Sequence, residues 1–204
     1  MSMVSHNSLT PYKRAVKAME KSMTRRALVL LVLLLVPLPA FSEIEKVGQP
    51  CEKGICVAWW PKLTPAKGWH HERGPSFANG INIQVPDGFT FSNAETVIYA
   101  KALYKPRIPE IKSLDMLIKS DREEFVSRDP DIVVSEVKAP KTGDGMPLKS
   151  FTFFPKNKGN WEQVSYGEEG DFYLIFTISS RSHAGFAETF RVYEQYIGQY
   201  KEGP

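Results

Sequence analysis

WEQVSYGEEGDFYLIFTIS, Trp161–Ser179, is the stretch on which the fold turns. Two runs rich in aromatic and β-branched residues flank GEEG, a hairpin signal. The second run, DFYLIFTIS (Asp171–Ser179), is apolar on both faces. A strand with one wetted face would alternate apolar and polar residues. This one is expected at the centre of a sheet, covered on both sides or on one side and an edge. Its partner WEQVSY (Trp161–Tyr166) carries polar residues between apolar ones and lies beside it.

Working upstream, LKSFTFFP (Leu148–Pro155) predicts a strand with Phe151 and Phe153 on one face and Leu148 and Phe154 on the other. DIVVSEVKAP (Asp131–Pro140) predicts another, and KTGDGMP and KNKGN read as turns. Four strands joined by short turns form a meander. Downstream, Ser182 can cap a last helix. Phe186, Phe190, Tyr193, Ile197 and Tyr200 make one apolar stripe along it, able to close over the meander.

The earlier half follows the same logic. In TVIYAKALY (Thr96–Tyr104), Ile98, Ala100, Ala102 and Tyr104 share one face of a strand. Ser113 is an N-cap candidate, and Leu114, Leu117, Ile118 and Phe125 follow at helical spacing until Pro130 stops the helix. GINIQVPDGFTF opens the region with Ile81, Ile83 and Val85 alternating before Pro-Asp-Gly turn chemistry. ICVAWWP (Ile55–Pro61) is a short strand. Residues 43–54 read as loose, and Lys62–Asn79 as a long loop. The element order is β, loop, β-β, α, β-β-β-β, α. That predicts an α+β fold, an antiparallel β-sheet covered by two main helices.

The series VPDGF, TVIYAKALY, SLDMLI with EEF, WEQVSYGEEGDFYLIF and FAETFRVYEQYIGQY resembles small secreted bacterial proteins of unknown function. Their outline is similar to the PsbP/Mog-type α/β/α sandwich, and the likeness covers Gly80 to Tyr200. The resemblance implies accessory and binding roles, such as photosystem assembly or regulation of a small GTPase. None of that family's partner-binding residues has a counterpart here.

The N-terminus reads as a targeting segment. Lys13, Arg14, Lys17, Lys21, Arg25 and Arg26 precede the apolar run Ala27–Val36, and PLPAFS follows. Ten apolar residues fall short of the roughly 20 that span a membrane. The segment 1–42 is therefore expected to be a signal peptide cleaved between Ser42 and Glu43, leaving no stable membrane anchor. Met19 and Met23 are alternative starts, and Arg25-Arg26 leaves both general and twin-arginine export open. The leader takes 6 of the 26 basic residues and 1 of the 23 acidic ones, leaving 20 against 22. The remaining chain is slightly acidic, which argues against nucleic acid as a partner. It divides into an N-terminal segment, 43–79, and an α+β region, 80–204, expected to form one globular unit. Cys51 and Cys56 are the only two cysteines. Their spacing and an oxidising compartment predict a disulfide.

Chemistry is sparse. There is no GxSxG, phosphate loop or dinucleotide fingerprint. Glu168-Glu169 are expected at a solvated hairpin tip and Glu123-Glu124 on a helix surface. GWHHERG (Gly68–Gly74) is the one suggestive loop. His70 and His71 are neighbours whose side chains diverge in extended backbone. A metal set would have to join them with His183 and Glu72. The aromatic residues Trp59, Trp60 and Trp69, with His70 and His71, are candidate binding residues. The reading is an exported, periplasmic or secreted, non-catalytic binding or accessory protein. It would need no cofactor and would meet a protein or small ligand of the cell envelope. The alternatives are a small periplasmic hydrolase or metal-dependent enzyme using the His70/His71 loop, and a structural envelope subunit.

Overall fold

The computed structural model describes residues 44–52 and 54–201. The expected signal segment and the Ser42–Glu43 junction lie outside the described residues. The strands are β1 (Ile44–Cys51), β2 (Gly54–Pro61), β3 (Trp69–His71), β4 (Asn82–Pro86), β5 (Thr96–Tyr104), β6 (Val133–Val137), β7 (Lys149–Phe154), β8 (Trp161–Glu169) and β9 (Phe172–Ser180). The helices are α1 (Arg73–Asn79), α2 (Leu114–Arg128) and α3 (His183–Ile197), with a single 3₁₀ turn at Lys105–Arg107.

The strands form one antiparallel sheet in the order β1-β2-β5-β9-β8-β7-β6. β5 shares one edge between two neighbours: β4 pairs along Ile98–Ala100, and β2 meets it at Ala102. β3 adds to the outer side of β4. β9 is central, and Tyr173 through Ser180 are all buried, as its doubly apolar sequence requires. The hairpin after β8 turns at Gly170-Asp171, because Glu169 still pairs with Phe172. Gly170 takes a left-handed φ of 49° there. Glu168 and Glu169 therefore end a strand and do not form its tip.

Helices cover both faces. α3 lays Phe186, Tyr193, Tyr196 and Ile197 on the face bearing Ile98, Ala100, Leu174, Phe176 and Ile178. Ser182 caps it, accepting from Gly185 N at 3.1 Å. The buried Tyr193 hydroxyl donates to the Phe176 carbonyl and meets Ser165 Oγ, each at 2.8 Å. α2 lays Leu117, Ile118 and Phe125 on the opposite face, over Phe151, Phe153, Val164, Tyr166 and Ile175. Ser113 caps α2, accepting from Met116 N at 3.2 Å.

Three expectations change. Residues 44–51 are a strand, because β1 pairs along its whole length with β2 and buries Ile44 and Val47. Cys51 and Cys56 close that hairpin with a disulfide across a Cα separation of 5.8 Å. The loop is so short that the bond contributes only about 2 kcal/mol on the chain-entropy account. The segment 62–79 contains β3 and α1, so the described residues hold three helices where two main ones were expected. The strand expected over Asp131–Pro140 pairs only at Val133–Val137. Residues 138–148 instead pass beneath the end of α3, where Gly143 N donates to Tyr200 O at 2.7 Å.

Candidate functional site

The suggestive histidines do structural work. Ser76 is fully buried in α1, and its Oγ accepts from Ile83 N at 2.9 Å. The same Oγ hydrogen-bonds His71 Nε2, also at 2.9 Å. Burial lowers the His71 pKa, Arg73 lowers it further, and Glu45 opposes them. A serine so enclosed offers no accessible nucleophile. His70 points elsewhere, 3.4 Å from Asp87 on the surface. Glu72 accepts from Phe91 N at 2.6 Å and ties down the loop after β4.

His183 is remote from all three. It packs on Trp161 and Phe154, with ring centroids 4.6 and 6.2 Å apart. β3 and β8 are separated by β4, β5 and β9, so about 19 Å of sheet intervenes. The metal set of His70, His71 and His183 is not assembled. Among the described residues, no group of three or more His, Cys, Asp or Glu could hold a metal ion.

The tryptophans divide. Trp60 is buried against His71 and Phe77, and its Nε1 donates to Glu45 at 3.2 Å. Trp59 turns the other way, beside Tyr104 and Phe172, under the Arg107 guanidinium at 4.5 Å. Arg107 also donates to Val57 O at 3.0 Å. Trp69 is half-buried against the α3-side core.

A different region gathers functional groups. α2 covers only part of its face of the sheet. Beside it a cleft of about 470 Å³ remains open. Val97, Tyr99 and Lys101 of β5, Ser179 of β9 and Glu162 of β8 line it from the sheet. Ile81, Phe91 and Ala94 provide an apolar wall, with Asn79, Glu95, Asn160 and Arg181 completing the lining. Register explains the grouping. Val97 pairs with Ser179, and Ser179 with Glu162, so these side chains share one face.

Glu162 is half-buried, and its carboxylate accepts from Ser179 Oγ at 2.7 Å. Burial raises its pKa, while hydrogen bonds from Ser179 and Asn160 and the charge of Arg128 oppose the rise. Beside the cleft, burial also raises the Asp121 pKa, against the pull of Lys101 and Tyr166. Tyr99 is shifted strongly upward by burial and by the charge of Glu162, so it stays a neutral phenol. Glu162 and Tyr99, both shifted upward by burial, thus line the same cleft.

The shift fixes a pH dependence. An unfolded glutamate titrates near 4.5. Between that pH and the raised folded value, the native chain holds the extra proton, so stability falls as pH rises through the window. Glu162→Gln should flatten this slope, leaving the share due to Asp121. Urea midpoints measured from about pH 4.5 to pH 7 check it.

Sequence reasoning did not find this cleft. A signal existed: Lys101 interrupts an otherwise apolar strand, and Glu162 sits within an aromatic one. Only the register across β5, β9 and β8 shows that they share a face.

No family model and no curated protein matches the chain. A solved structure similar to it is PA94 from Pseudomonas aeruginosa, a protein of unknown function with a suggested regulatory role. The similarity has 10% identity and a TM-score of 0.42, over 78% of this chain and 99% of that one.

Proposed function

We propose that this is an exported, non-catalytic binding protein that holds a small ligand of the cell envelope in the cleft beside α2. The observation that carries this reading is the cleft itself. A half-buried acid, a lysine, an arginine and a neutral phenol converge on a concave, partly apolar surface, the usual composition of ligand pockets. The disulfide and the leader-like N-terminus support export. No helix among the described residues is long and apolar enough to cross a membrane. Helices on both faces of an antiparallel sheet support the PsbP/Mog-type sandwich, a fold used for accessory roles. Against catalysis stands the enclosure of Ser76 beside His71.

The test is equilibrium dialysis of the protein against a small-molecule extract of its own cell envelope, read by mass spectrometry. Val97→Trp, which fills the cleft from β5, is the control. A compound enriched by the wild type and not by the variant is the expected result. Equal enrichment by both, or none by either, contradicts the reading.

A further inference from the structure

Glu162 and Arg181 stand in an unusual relation. Glu162 pairs with Ser179, so Arg181, one residue past the end of β9, is its diagonal neighbour, about 7–8 Å away. Opposite charges so placed commonly form an ion pair, and among the described residues neither does. Among the described residues, no cation lies within ion-pair distance of the Glu162 carboxylate. Its hydrogen-bond partners are the neutral Ser179 and Asn160, with the charge of Arg128 acting from farther off. Arg181 donates through Nη2 to the Ser92 carbonyl at 2.6 Å, and among the described residues its side chain makes no other hydrogen bond or ion pair. Each side chain is hydrogen-bonded by neutral groups, and both line the cleft without an ion pair between them.

We infer that the gap between Glu162 and Arg181 receives the ammonium and carboxylate of a free α-amino acid, with its apolar side chain against Phe91 and Ile81. Glu162 accepts from the ammonium, and Arg181 donates to the carboxylate with its planar fork. A ligand bearing both charges on one carbon satisfies both groups without adding net charge beside the half-buried Glu162. Phe91 and Ile81 favour an aliphatic or aromatic side chain over a polar one. A cleft of about 470 Å³ accommodates the largest of these. A peptide C-terminus offers the carboxylate but no adjacent ammonium, and an amine offers only the reverse.

This inference rests on the cleft being the ligand site. Isothermal titration of the full chain with L-leucine and L-phenylalanine tests it, with N-acetyl-leucine and leucinamide as the compounds lacking one charge. Loss of one charged hydrogen bond should weaken binding roughly tenfold to a hundredfold. The expected result is binding of the free amino acids, with both blocked compounds at least about tenfold weaker. Arg181→Gln and Glu162→Gln should weaken leucine by a similar factor. The blocked compounds act on the wild-type protein, so the test survives if a variant fails to fold. Equal binding of N-acetyl-leucine would overturn the inference in favour of a peptide terminus. No heat from either amino acid at about 10 mM would overturn it outright. If an envelope compound is still excluded by Val97→Trp in that case, the binding role stands and only the ligand class is wrong.

Discussion

Phe176→Ala should lower the unfolding free energy by about 3–5 kcal/mol, the range for removing a fully buried aromatic side chain. Phe176 has no solvent exposure and lies in the middle of β9, between β5 and β8. Its ring meets Tyr200 edge-on with centroids 5.5 Å apart, and its carbonyl accepts from Tyr193. The cavity would open beneath α3, the helix that closes this face. Single domains have about 5–15 kcal/mol of stability in total, so the loss is a large part of it. In urea the midpoint should fall with the slope unchanged, and the melting temperature should drop by about 6–20 °C. A change below about 1 kcal/mol would mean that α3 is not seated on the sheet as described.

Phe153→Ala should cost about as much on the opposite face, again about 3–5 kcal/mol. Phe153 is fully buried, and Phe125 of α2 stacks on it with centroids 3.9 Å apart. This substitution has a second expected consequence, because Phe153 is the cross-strand partner of Glu162. Burial holds the Glu162 pKa up. Opening space beside it admits water and should bring that pKa back toward 4.5. Phe176→Ala, on the far face, should leave it alone. Carboxyl titration by NMR in the two variants separates these outcomes. A Glu162 pKa that responds equally to both would break the link between Phe153 and the cleft.

Long periodic elements were legible in the sequence. β9 is apolar on both faces, and the α3 stripe steps through Phe186, Phe190, Tyr193 and Ile197, so both follow from pattern alone. The caps at Ser113 and Ser182 follow from side-chain chemistry. The elements that were missed are short or carry residues with poor intrinsic propensity. β1 contains Gly48 and Pro50 and is held by pairing with β2 and by the disulfide. α1, RGPSFAN, has no side-chain N-cap. It is held by Ser76, which bonds to His71 and to the backbone of Ile83, contacts invisible until β3 and β4 are paired. The site was hidden for the same reason. GWHHERG draws attention because its residues are adjacent in sequence, and the structure gives them separate partners. Lys101, Glu162 and Ser179 come from three strands, with Arg181 just past the end of β9, and they meet only through register. A shift of one residue in any of those pairings would turn a side chain to the other face.

The most direct measurement is a map of backbone amide chemical shifts in the protein with and without its retained envelope compound. The account predicts that the perturbed amides cluster at Val97–Lys101, Asn160–Glu162 and Ser179–Arg181. Perturbations confined to Trp69–Glu72, or to the surface around Trp59 and Arg107, would contradict it and return the site to the aromatic and histidine-bearing loop.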